Sequence, residues 1–246
     1  MFYLDWKNAL SEGWIVYTRD LLEFWKITLI FLICIAMGFG APLGIALLAY
    51  FLTVGVGFPN GILVPLTIVI FSVCALAGTV IAAALKGGYY AACHETYNDG
   101  TVNPLSFIEF AQKHAPTVVA VEFVQIGIVA LFAVPLGAIS IMAKSGAFNA
   151  IALGILVLIA AVVSCLASLA LPAVVIDGHG AAAALKKSYR TVTDNARNFA
   201  FVYLILLFFA AAFSLVPVIG YVLLAFAYLP YTTIVYTLYY RSQRRV

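Results

Sequence analysis

ITLIFLICIAMGFGAPLGIALLAYFLTVGVGFPNGILVPLTIVIFSVCALAGTVIAAAL, residues 27–85, runs 59 positions without one Asp, Glu, Lys or Arg. A helix needs about 20 apolar residues to cross roughly 30 Å of bilayer hydrocarbon, so this run is long enough for two crossings. Turn chemistry at Phe58-Pro59-Asn60-Gly61 divides it. The whole chain follows suit: it is 65% hydrophobic and 9% charged, with a mean hydropathy of +1.10. No soluble domain of 246 residues hides that much apolar surface, which makes this a polytopic α-helical membrane protein. A net charge of only +3 gives no footprint for nucleic acid. Cys34, Cys74, Cys93 and Cys165 have no CxxC spacing and three lie in apolar runs, so they read as small hydrophobes rather than a disulfide framework. Asp5, Glu12, Asp20 and Glu23 precede the first apolar run, unlike the short basic region of a secretory signal.

Six apolar segments have membrane length: about 27–52, 62–85, 117–142, 148–176, 199–216 and 219–240. The last two are divided only by Val216-Pro217-Val218-Ile219-Gly220. With six spans, twelve of the thirteen Lys and Arg fall on one side, among them Lys7, Arg19, Lys86, Lys113, Lys186, Arg241 and Arg244, and only Lys144 on the other. The positive-inside rule then places both termini in the cytoplasm and the protein in the cell membrane.

A recurrence overlies the spans. Asn8-Ala9-Leu10, Trp14, Phe24 and Pro42 map onto Ala183-Ala184-Leu185, Tyr189, Phe199 and Pro217 at a constant offset, and Phe132-Ala133-Val134-Pro135-Leu136-Gly137 echoes Phe39-Gly40-Ala41-Pro42-Leu43-Gly44. The sequence thus reads as one membrane domain of three units, about 1–99, 100–177 and 178–246, each an amphipathic helix followed by a helical hairpin. The amphipathic helices read as interfacial, on the cytoplasmic face. Their expected apolar stripes are Trp6, Leu10, Trp14, Tyr17, Leu21 and Phe24 in the first unit and Leu185, Tyr189, Val192 and Ala196 in the third. Leu105, Phe107, Ile108 and Phe110, opened by Asn103-Pro104, make a shorter one in the second.

Leu171-Pro172-Ala173-Val174-Val175-Ile176-Asp177-Gly178, followed by Ala184-Leu185-Lys186-Lys187-Ser188-Tyr189-Arg190 and Asn195, carries a family resemblance. It resembles a broad group of prokaryotic membrane proteins related to the membrane domain in front of some glycerophosphodiester phosphodiesterases. The likeness is clearest over about residues 165–240. It implies a six-helix domain used as a membrane module. The phosphodiesterase activity stays with a separate soluble barrel, for which this chain has no room.

Few polar residues invite chemistry. Glu122 is the ionisable residue inside a span, with Gln125 one turn on; it reads either as a proton- or cation-linked site or as an interfacial carboxylate paired with Lys86 or Arg197. Lys186, Lys187 and Arg190 can meet anionic lipid headgroups or simply form a solvated basic face. His94, His114 and His179 lie near Cys93, Glu95, Asp99 and Asp177 without any zinc spacing, so no metal is expected. Neither Ser106 nor Ser188 has triad partners at a recognisable spacing, and no GxSxG occurs. Tyr228 and Tyr231 flank Pro230 at mid-depth, where they, Thr232 and Thr233 are placed to satisfy the carbonyl that a proline frees. Helix kinks are expected at Pro42, Pro135, Pro172, Pro217 and Pro230.

The expectation is therefore an all-α membrane fold of six spans in three hairpins. In function it reads as a non-enzymatic module without a cofactor, engaging membrane lipids, anionic headgroups among them, or a membrane-protein partner. A small transporter or permease is the alternative reading.

Overall fold

The computed structural model describes residues 6–55, 60–101, 104–143 and 145–244. Among them there is no strand; the chain runs through ten α-helices, α1 (Trp6–Arg19), α2 (Leu21–Gly55), α3 (Asn60–Asp99), α4 (Pro104–Ala143), α5 (Gly146–Ala167), α6 (Ala170–Asp177), α7 (Ala181–Asp194), α8 (Ala196–Ser214), α9 (Ile219–Leu223) and α10 (Leu229–Arg244). A π-helical turn, Leu224–Tyr228, joins the last two. Six stretches are long and apolar enough to cross a membrane: Leu21–Leu48, Pro65–Asp99, Phe107–Ser140, Gly146–Asp177, Ala196–Ser214 and Ile219–Gln243. Their outward faces carry bare Leu, Ile, Val and Phe, such as Leu48, Ile68, Leu131 and Leu158. Such a surface is stable only in lipid.

Several boundaries differ from the sequence reading, because a helix has no reason to end where the hydrocarbon does. α3 continues past Leu85 to Asp99, stopped by Gly100 in the left-handed conformation (φ 72°). α4 starts at Pro104 and absorbs the expected interfacial helix at 105–110: no separate element forms there, Phe107 is buried, and Leu105 and Ile108 face outward. Pro42 and Pro135 lie inside the unbroken helices α2 and α4. Pro217 lies in the turn between α8 and α9 rather than in a helix.

Two prolines do break a span. Pro172 cannot donate to the Ser168 carbonyl, and the fourth span parts there into α5 and α6. Pro230 follows the π-helical turn of the sixth span. Each break lies under a short helix, α7 packing on α5 and α6, and α1 on α10.

These two short helices match closely. α1 and α7 are each 14 residues long and begin and end 175 positions apart. Each is followed by a one-residue break, at Asp20 and Asn195. Buried Gly13, Tyr17, Phe24 and Ile27 recur at the same spacing as buried Ser188, Val192, Phe199 and Val202, and again along α4 as Phe107, Ala111, Val118 and Val121. The α4 segment packs on α3, where a methyl on Gly88 would lie 2.6 Å from the Phe107 carbonyl oxygen and one on Gly87 2.8 Å from Val118.

The buried faces coincide only in part with the expected stripes: Tyr17, Phe24 and Val192 are buried, but Trp14 and Tyr189 are not. Trp14 is 55% exposed and Tyr189 55% exposed, whereas Ala9, Gly13, Val16 and Tyr17 form the seam of α1, and Ala184, Ser188, Thr191 and Val192 that of α7. Lipid solvates an aromatic ring as well as protein does, so helices in a membrane meet through small residues that let their backbones approach.

Candidate functional site

Lys86 of α3 donates to Glu122 Oε1 of α4 at 2.6 Å. Of the two partners open to Glu122, it takes Lys86. Both groups sit about one hydrocarbon thickness from the far end of their spans: Pro65 to Lys86 and Glu122 to Ser140 are each ~30 Å of helix. Both charges lie inside stretches long and apolar enough to cross a membrane. Pairing lowers the cost of a Lys and a Glu there, chiefly for Glu122, whose side chain is the less exposed of the two.

Around the pair lies a cavity of about 240 Å³, walled by Lys86 and Tyr90 of α3, Glu122 and Gln125 of α4, Ser164 and Ala167 of α5, Ser168 and Leu171 at the break, Tyr203 of α8 and Tyr236 of α10. A furrow of about 400 Å³ shares Glu122, Gln125 and Ser164 with it and continues between α4 and α5 along Ile126, Val129, Ala130, Ala133 and Val163. From Glu122 to Ala133 α4 advances about 16 Å, away from the charged helix ends. The hollow thus has a polar, charge-paired head and an apolar tail aligned with the spans.

The break beside this cavity is closed from α7. Ser188 Oγ donates to the Leu166 carbonyl at 2.6 Å and accepts from the Leu169 N–H at 3.2 Å, while Ser168 Oγ donates to the Cys165 carbonyl at 2.7 Å. Ser188 is fully buried. The sequence presents Ser188 within the resemblance motif and as a serine without triad partners; the signal for this role is a Ser on the small-residue face, four positions after Ala184.

At the sixth span the Phe226 carbonyl, which would have been the partner of Pro230's missing N–H, accepts a hydrogen bond from Tyr17 Oη at 2.8 Å. This corrects the expectation for Tyr228, Tyr231, Thr232 and Thr233. Thr232 and Thr233 donate to the carbonyls of Tyr228 and Leu229, and Tyr231 Oη donates to the Leu10 carbonyl of α1 at 3.0 Å. Tyr17 Oη also accepts from Trp25 Nε1 at 3.0 Å. Burial pushes the Tyr17 phenol above its ordinary pKa of 10.0, so it stays a neutral donor.

The remaining sequence candidates scatter. Tyr228 and Tyr231 line a separate apolar hollow of about 200 Å³ with Trp14, Leu206 and Phe213, so they do not share a cavity with Glu122. Lys186 and Arg190 are exposed and Lys187 half-buried, and none of these hollows reaches them. His114 is buried on α4, His94 lies 3.4 Å from Asn98 and His179 lies 3.8 Å from Asp177, which accepts from Tyr240 at 2.5 Å. Among the described residues no three His, Cys, Asp or Glu side chains come together as metal ligands. The Ser106 side chain falls outside the described residues.

A family model described as a domain of unknown function, DUF7847, matches residues 111–240. The chain belongs to this family. The DUF7847 match takes in Glu122, Gln125, both broken spans and α7, and leaves out α1 to α3 with Lys86. No curated protein and no solved structure matches the chain.

Proposed function

We propose that this DUF7847 protein is a non-enzymatic, lipid-engaging module of the cell membrane. The observation that carries the reading is the two-part hollow at Lys86 and Glu122. Its polar end sits at headgroup level and its apolar furrow follows the direction of an acyl chain. An amphiphile entering sideways between α4 and α5 would satisfy both halves at once, which neither a soluble ligand nor an ion does.

The architecture we infer is three units in a closed ring, each an interfacial segment and a helical hairpin, with both termini cytoplasmic. Supporting it are the matched lengths and burial of α1 and α7, and the packing of each leading segment on the hairpin before it, α1 on the last. Exposed Lys186 and Arg190 with Lys187 would then face anionic inner-leaflet headgroups as a second, looser lipid contact. The likeness to the membrane domain of glycerophosphodiester phosphodiesterases belongs to the same reading. Cysteines introduced near Asn60 and Gly146 should label from outside, and those near Asp99 and Asp194 from inside; labelling of Asp194 from outside would sink the topology.

Filling the furrow tests the function. Ala133→Trp and Ala130→Trp, each reconstituted in mixed-lipid nanodiscs and released for native mass spectrometry, should lose the lipid that the parent keeps. Equal retention by parent and variants means the hollow holds no lipid. A transporter is the second reading, favoured by one feature: Ser168 and Leu171, at the break in the fourth span, line the cavity, and broken helices beside a polar cavity are how many transporters bind cargo. Solute flux into proteoliposomes that Ala133→Trp leaves intact would favour it.

A further inference from the structure

Resting on the lipid reading above, we propose that the cavity at Lys86 and Glu122 selects a zwitterionic phospholipid headgroup bearing a primary ammonium. Lys86 and Glu122 are in direct contact at 2.6 Å and are the cation and the carboxylate of the cavity wall. An anionic headgroup drawn to Lys86 would rest against Glu122, and a lone cation drawn to Glu122 would rest against Lys86. Each must leave one partner of the pair uncompensated, and the cost falls mainly on Glu122, whose side chain is 19% exposed against 42% for Lys86. A zwitterion opens the pair and replaces both halves: its phosphate takes the Lys86 ammonium, and its ammonium takes the Glu122 carboxylate.

The rest of the wall sharpens the choice. The ammonium must donate hydrogen bonds to Glu122 and the Gln125 carbonyl, which a primary amine does and a trimethylated one does not. Phenol rings of Tyr203 and Tyr236 border the same space and favour a cation over an added carboxylate. The furrow along Ile126, Val129 and Ala133 takes one chain of the same lipid. A head with a second negative group would set it beside Glu122 and is disfavoured.

The test is competition in one bilayer. Parent protein goes into nanodiscs of equimolar phosphatidylethanolamine, phosphatidylcholine and phosphatidylglycerol with matched chains, and retained lipid is read by native mass spectrometry. The expected result is phosphatidylethanolamine enriched about fivefold or more over either competitor. Glu122→Gln should move the preference toward phosphatidylglycerol, since Lys86 is then unopposed. The double exchange Lys86→Glu with Glu122→Lys keeps both charges and should keep phosphatidylethanolamine first. Retention that Ala133→Trp abolishes but that shows no headgroup preference overturns this inference and leaves the lipid reading standing. No retention sensitive to Ala133→Trp overturns both. Soluble phosphoethanolamine should not displace the retained lipid; displacement at millimolar concentration would make the ligand a free zwitterion and overturn the lipid assignment.

Discussion

At the sixth span a tyrosine of α1 reaches across to the Phe226 carbonyl at 2.8 Å, whereas at the fourth span a serine of α7 sits in the break itself and serves both Leu166 and Leu169. The positions are related: Ser188 corresponds to Gly13, and Tyr17 to Val192, one turn further along each helix. A methyl on Gly13 would lie 2.7 Å from Val235 Cγ2, so α1 has no room for a hydroxyl where α7 carries one. The hydroxyl has moved one turn and onto a longer arm. Both proline-marked sites are satisfied by side chains of the covering helix, and which side chain does so varies with how closely that helix approaches.

The largest expected effect comes from breaking the closer contact. Ser188→Ala leaves a backbone N–H and a carbonyl without their partner in a buried site and should cost about 2–4 kcal/mol of unfolding free energy, read by steric trapping in bicelles. A loss under about 0.5 kcal/mol would mean that the fourth-span break is satisfied by other means. Gly13→Ala should cost about 1–3 kcal/mol by overpacking. Adding Val235→Ala should return most of that loss, a coupling that a double-mutant cycle measures directly.

Tyr17→Phe removes two hydrogen bonds, to the Phe226 carbonyl and from Trp25 Nε1, and should cost about 1–2 kcal/mol, less than the serine change. If it costs more, the long arm is the stronger device and the comparison reverses. The smallest effect is a pH dependence. The Tyr17 pKa is raised by burial, so the stability it contributes is complete below pH 10.0 and falls away as the phenol ionises above it. Unfolding curves for the parent should decline there more steeply than those of Tyr17→Phe, while Ser188→Ala should leave the slope unchanged.

The spans were legible because a charge-free run has one cheap solution in a membrane. The sequence offset between α1 and α7 pairs Phe24 with Phe199, and both are fully buried. Which face of each short helix meets protein was not legible. The stripes through Trp14 and Tyr189 allow either a lipid-facing or a bundle-facing side, and the seam runs through Ala9, Gly13, Tyr17, Ala184, Ser188 and Val192. The pairing of Glu122 was visible as one of two choices. Its cavity was not, because the walls come from α3, α4, α5, α6, α8 and α10 and share no spacing in sequence. The segment 105–110, expected as a separate interfacial helix, is instead continuous with the third span through Pro116.

The hydrogen bond from Tyr17 to Phe226 joins residues 209 positions apart, and it sets an order of events during synthesis. At about 5–20 residues per second a ribosome needs about 10–40 s to make that intervening chain. For all of that time α1 exists without the span it covers, and when the sixth span arrives its proline break is open until α1 reaches it. Biogenesis therefore has a defined final step, the return of an early helix to a late one, and a chaperone or insertase that holds α1 too long would strand a complete set of spans in an unclosed form.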